Sequence, residues 1–96
     1  MTLANEILGY SAEIVEHLRQ RGETISTAES LTAGSVSAAI VMVAGASDVF
    51  VGGMTAYRDE IKVSHLDVDP ELIEKHTVIS EEVAVAMAKG AIKSFG

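Results

Sequence analysis

At 96 residues, with no cysteine and a net charge of −7, the chain is one domain or part of one, without a disulfide or thiolate-metal framework. Seven Lys and Arg against fourteen Asp and Glu exclude nucleic acid as a main ligand, because neutralising a phosphate backbone needs clustered cations. No signal-peptide pattern opens the sequence and no apolar run approaches the roughly 20 residues of a membrane span, so the expectation is a soluble, cytoplasmic protein.

Ile7, Leu8, Ser11, Ile14, Val15 and Leu18 recur at helical spacing, with Glu6, Glu13, Glu16 and His17 on the other side, which predicts an amphipathic helix. Arg19 and Arg21 fall in its last turn and Gly22 ends it. Residues 24–28 read as a short buried strand. Residues 33–43 read as a helix that is apolar almost all round, hence covered on several sides, with Thr32 as its N-cap. Gly45-Ala46-Ser47-Asp48 breaks the pattern before a second strand over 49–57, in which Gly52-Gly53 marks a bulge or a close backbone approach. A short helix over 58–66 follows. Asp69-Pro70-Glu71 supplies an N-cap, a proline at the first helical position and an acid in the first turn. Ser80-Glu81-Glu82 starts a last helix that runs to about Ser94.

The order helix–strand–helix–strand–helices predicts an α/β fold with at least one parallel crossover. Two strands are too few to cover so many apolar helix faces, and both would be edges. Phe95-Gly96 also falls where an αβ unit would begin its next strand. The expectation is therefore a single domain over 1–96, incomplete at its C-terminal end, the front half of a larger α/β domain.

The most informative stretch is Thr27-Ala28-Glu29-Ser30-Leu31-Thr32-Ala33-Gly34. A strand that gives way to small polar residues at a helix start gathers N–H groups and hydroxyls where an anion, a phosphate or a developing oxyanion is favoured. Ser30 has two readings there, a helix cap or a nucleophile, and the second needs a base. His17, His65 and His76 are solvated or dipole-compensating residues with no metal-ligand spacing, so no metal is expected. Lys62 follows Tyr57 by five residues, beyond the end of the second strand. Parallel strands would bring it to the same sheet edge as Ser30, where open α/β sheets place ligands. A lysine acts as a base only when neutral, a form favoured by a desolvated pocket or a nearby cation. The other reading makes Lys62 a surface residue and Tyr57 an edge residue with a wet hydroxyl. Glu29 either orients a lysine or ribose hydroxyls, or is a charge near a helix start. Gly52-Gly53 either admits a ligand or relieves helix–sheet packing.

The same stretch resembles the Ala-Glu-Ser-Cys-Thr-Gly-Gly motif of the CinA C-terminal domain family, the nicotinamide mononucleotide deamidases. The similarity continues through Gly45-Ala46-Ser47-Asp48-Val49-Phe50, Gly52-Gly53-Met54-Thr55-Ala56-Tyr57, Lys62 and Val78-Ile79-Ser80-Glu81-Glu82-Val83-Ala84, in order and with compatible spacing. The resemblance implies a three-layer α/β/α domain, often dimeric. It also implies hydrolysis of the nicotinamide carboxamide to nicotinate mononucleotide and ammonia, without metal or cofactor, in pyridine nucleotide salvage. The family's serine, lysine and tyrosine fall on Ser30, Lys62 and Tyr57. Its nucleotide site falls on Glu29, Thr32, Ala33, Gly34 and Gly53. Leu31 and Ala33 replace the family's cysteine and first glycine. The family's later Thr-Gly-Ile-Ala-Gly-Pro segment is absent, which implies a complementing fragment or a second copy as partner. The alternative expectation is a non-catalytic module that binds a nucleotide or a partner in a degenerate pocket.

Overall fold

The first helix shows how local signals set this architecture. In a computed structural model that describes residues 2–96, α1 spans Leu3–Arg21, and the Thr2 hydroxyl accepts from the Asn5 N–H at 3.2 Å. At its other end the Gly22 N–H donates to the Arg19 carbonyl and the Glu23 N–H to the Leu18 carbonyl, a paired closure that satisfies orphan carbonyls. The chain continues through β1 (Ile25–Glu29), α2 (Ser35–Val41), a short 3-10 turn (Ala46–Asp48), β2 (Phe50–Thr55), α3 (Asp59–Leu66), α4 (Pro70–His76) and α5 (Glu81–Phe95). The expected caps of the later helices are present: Asp69 accepts from the Glu71 N–H and Ser80 from the Val83 N–H.

β1 and β2 pair in parallel as a two-stranded sheet, the α/β arrangement expected from the element order. The register runs Ile25 opposite Phe50 and then Ser26 opposite Gly52, so Val51 is an extra residue on β2 and the bulge expected beside the glycine pair is real. Gly53 also serves close approach. A Cβ there would collide with the Thr27 and Ser37 hydroxyls, so glycine is what lets α2 settle onto the sheet.

Three layers result. On one face α1 and α2 pack through Val15, Ile40, Ala46 and Val49, with Ile25 and Phe50 beneath them. On the other, α5 packs through Val83, Met87 and Ala91 against Ala56, Leu66 and Val68, drawing in Ala28 and Met54 of the sheet. Gly90 brings α5 against the α3 backbone at Leu66, where any Cβ would overlap the Leu66 carbonyl. That contact fixes α3, the helix that carries Lys62. No helix among the described residues is long and apolar enough to cross a membrane.

Two expectations need correction. α2 is shorter than residues 33–43, and Gly34, not Thr32, stands at its N-cap position. Nor is α2 covered on several sides: of its residues only Ile40 is buried, while Val36 and Val41 are exposed. α1 differs in the same sense, with Ser11 and Val15 buried and Leu3, Ile7 and Ile14 exposed. The cause is common to both. Periodicity marks which helix face is apolar, and the described elements cover only part of each face.

Candidate functional site

The site forms where the two strands end together. Glu29 is opposite Thr55, and the Ala56 N–H donates to the Glu29 carbonyl at 2.7 Å, so Ser30 and Tyr57 leave the sheet side by side. The chain then turns into α3, whose first turns carry Asp59 and Lys62. Lys62 is 2 % exposed, which excludes the surface reading. Its side-chain nitrogen Nζ donates to the Tyr57 carbonyl at 2.7 Å, and Asp59 Oδ1 is 3.5 Å from it. The Ser30 hydroxyl reaches the same carbonyl at 3.5 Å. Hydroxyl and amine thus converge on one oxygen, no further apart than those two contacts laid end to end.

Around them lies a cavity of about 550 Å³, floored by Ala28 and Met87 and walled by Leu31, Thr32 and the Val78–Ser80 turn before α5. Its rim is apolar and open to water: Leu31 is 87 % and Ile79 91 % exposed. The phenol of Tyr57 lies on the wall and is exposed, so position 57 holds Lys62 through its backbone carbonyl, an atom any residue would supply.

Glu29 has a different setting from Ser30 beside it. It is 4 % exposed, and its carboxylate accepts from the Val36 N–H at 2.9 Å, the Ser37 N–H at 3.1 Å and the Ser37 hydroxyl at 2.7 Å. The Ser37 hydroxyl in turn meets Thr27 Oγ1 at 2.6 Å. Burial alone would raise the pKa of this acid. The hydrogen bonds from the Ser37 side chain, the Val36 and Ser37 amides and the Thr32 side chain outweigh it and hold the pKa down at about 2. Glu29 therefore caps α2 from seven residues upstream and fills the anion position at that helix start. This removes the need for Thr32 as a cap.

A pH dependence follows. The folded pKa lies below the ordinary value of 4.5, so the unfolded chain binds more protons in between. The stability contributed by Glu29 is complete above about pH 4.5 and is lost as pH falls towards about 2. Denaturant midpoints followed from about pH 5 to about pH 2.5 should fall, and Glu29→Gln should flatten that fall.

Between Ser30 and α2 the backbone makes two left-handed turns in a row, Ala33 at φ 51° and Gly34 at φ 99°. The Ala33 N–H donates to the Ser30 carbonyl and the Ser35 N–H to the Thr32 carbonyl. The N–H groups of Leu31 and Thr32 meet no backbone acceptor among the described residues. An alanine in the left-handed region costs about 1–2 kcal/mol, partly offset by the entropy a glycine would lose. Ala33→Gly should therefore raise stability by roughly 0.5–1 kcal/mol, read as a shift in the thermal midpoint.

The structure thus brings Ser30, Lys62, the Tyr57 backbone, Glu29 and Thr32 to one place. Ala33 and Gly34 shape the turn without lining the cavity, and Gly53 sits beneath α2. Two residues that sequence reasoning did not single out belong to the site. Asp59 was marked by its i, i+3 spacing to Lys62, and Ser37 by no local signal, since its partner Glu29 is eight residues away.

The family profile described as the CinA C-terminal domain matches residues 8–96. A CinA-like protein of Kosmotoga olearia is 51 % identical over 83 residues, which are 86 % of this chain and 20 % of that protein. A putative competence-damage inducible protein of Lysinibacillus sphaericus is 43 % identical over 86 residues, 90 % of this chain and 20 % of its own. Among solved structures, a competence/damage inducible protein from Agrobacterium tumefaciens superposes with a TM-score of 0.86 at 31 % identity, over 91 % of this chain and 53 % of that one. A competence-damaged protein (CinA) superfamily protein from Escherichia coli gives 0.90 at 26 % identity, over 97 % and 54 %. The chain thus spans about a fifth of those curated relatives and about half of those structures.

Proposed function

The chain belongs to the CinA C-terminal domain family, and on that premise we propose that it carries the serine–lysine half of an amidohydrolase that converts nicotinamide mononucleotide to nicotinate mononucleotide and ammonia. One observation carries the reading: a hydroxyl on a turn and a buried amine converge on the Tyr57 carbonyl at the mouth of a cavity of about 550 Å³.

The Ser30 hydroxyl turns from the Tyr57 carbonyl towards Lys62, whose side-chain amine takes its proton as the oxygen attacks the carboxamide carbon. The resting contact is long, as catalytic contacts often are before substrate arrives. The oxyanion that develops is met by the unengaged N–H groups of Leu31 and Thr32, at the turn that holds Ser30. Lys62 returns the proton to the departing nitrogen, ammonia leaves, and a nicotinoyl ester remains on Ser30. Water, deprotonated by Lys62, then attacks the ester carbonyl, and the proton goes back to Ser30 as its ester bond breaks and nicotinate mononucleotide is released. Tyr57 fixes the amine through its carbonyl, while its exposed ring and the rim residues Leu31 and Ile79 offer apolar surface to a flat heteroaromatic ring.

The α2 N-terminus takes no part in phosphate binding, because Glu29 already occupies it. The test is direct. Nicotinamide mononucleotide is incubated with the chain, and ammonia and nicotinate mononucleotide are quantified together. Equal amounts of both support the amidohydrolase, whereas saturable binding with neither product supports a non-catalytic nucleotide-binding module.

A further inference from the structure

We propose that Asp59 is a positioning residue for the Ser30–Lys62 pair: its carboxylate takes one N–H of the lysine amine, so that the position left on that nitrogen serves the Ser30 proton. The inference rests on the amidohydrolase reading and adds to it a residue that acts through Lys62. An amine that accepts a proton has two N–H groups and one lone pair, set at tetrahedral angles. With a single acceptor nearby, the second N–H and the lone pair exchange places by rotation. With two acceptors the lone pair has one place, and the transfer no longer waits on that rotation.

Both acceptors are present. The Tyr57 carbonyl lies 2.7 Å from Lys62 Nζ and Asp59 Oδ1 lies 3.5 Å from it. Water is a poor substitute for either, because the Lys62 side chain is 2 % exposed. Asp59 also lines the cavity that holds Ser30. Its contact is longer than a charge-assisted hydrogen bond and, like that of Ser30, has to tighten in the reacting complex.

The local sequence leaves Asp59 available. α3 begins at this residue, and the N-cap position belongs to Arg58, which makes no side-chain cap bond. The next acid is engaged elsewhere: Glu60 pairs with Arg58 at 2.7 Å, both side chains exposed. Residues 59 and 62 share one face of the helix through their i, i+3 spacing. Gly90 of α5 fixes that helix by its contact with the Leu66 backbone, so packing sets the position of both residues together.

Two plainer roles have to be separated from this one. A first-turn acid complements the α3 N-terminus, and a carboxylate near a buried lysine serves as its counter-charge. Both need the charge of Asp59, whereas positioning needs an oxygen at the same reach. Asparagine keeps the oxygen and loses the charge; alanine loses both.

The test uses a probe that needs no nucleotide. With a fluorophosphonate ester, the Ser30 oxygen bonds to phosphorus, fluoride leaves and the serine proton passes to Lys62. Labelling rates at Ser30, read by peptide mass spectrometry, are compared for the unaltered chain, Asp59→Ala and Asp59→Asn. On the same proteins kcat and KM are measured with nicotinamide mononucleotide, and thermal midpoints check that each is folded. Asp59→Ala should lower labelling and kcat by roughly 10- to 100-fold with KM changed less than about twofold, and Asp59→Asn should restore both rates to within about threefold. Three outcomes overturn the proposal: alanine labels as fast as aspartate, asparagine is as slow as alanine, or Ser30 is labelled in none of the three. Labelling that follows the expected ranking while no ammonia is released from nicotinamide mononucleotide supports the role of Asp59 and removes the nucleotide substrate. Ammonia release that is indifferent to Asp59 does the reverse.

Discussion

Ser30→Ala is expected to reduce ammonia release from nicotinamide mononucleotide by on the order of 10⁴-fold or more, because it removes the atom that forms the covalent intermediate. The fold should survive. The Ser30 hydroxyl makes one long hydrogen bond, to the Tyr57 carbonyl at 3.5 Å, and caps no helix, so the thermal midpoint should barely move. Lys62→Met, which keeps most of the buried volume, should reduce turnover to a similar extent. The double variant should be little worse than either single one, since nucleophile and base act as a unit. The measurement is product formation by each variant at matched folded concentration. Additive losses, or turnover kept by Ser30→Ala, would contradict a shared role.

The largest effect on stability is expected at Glu29, the residue next to the nucleophile. Glu29→Ala leaves the Val36 and Ser37 amides and the Ser37 hydroxyl without their acceptor in a half-buried setting. Losing a buried, charge-accepting partner of this kind costs about 3 kcal/mol. At about 4–8 °C per kcal/mol for a domain of this size, the thermal midpoint should drop by roughly 15 °C. Glu29→Gln should cost less, because the amide oxygen still accepts while its NH₂ group faces donors. The consequence reaches function. Glu29 ties the end of β1 to the start of α2, and the Ser30–Gly34 turn hangs between them, so a loosened tie moves the nucleophile. Thermal denaturation of the two variants ranks these effects, and equal midpoints for Glu29→Ala and the unaltered chain would remove Glu29 from this role.

What the sequence revealed follows from how local each signal is. The caps at Gly22, Asp69 and Ser80 are written in residues that bond within a few positions, and each lies where the pattern put it. The meeting of Ser30 with Lys62 was legible for a second reason. Two parallel strands must end on the same side, and both residues follow strand ends. The start of α2 was not legible, because its cap is a carboxylate on a strand and looks from sequence like a charge near a serine. The role of position 57 was hidden as well, since a backbone carbonyl leaves no mark on residue type. Exposed Val36, Val41 and Ile14 show the limit of periodicity, which names an apolar face and not its partner.

The central claim is that Ser30 becomes covalently attached to the acyl half of the substrate. Acid quenching of the chain with nicotinamide mononucleotide, followed by peptide mass spectrometry, tests it most directly. The account predicts that the peptide carrying Ser30 gains the mass of the nicotinate mononucleotide acyl group, and that Lys62→Met abolishes the gain. Ammonia released at the full rate while Ser30 stays unmodified, or from a Ser30→Ala chain, would contradict it.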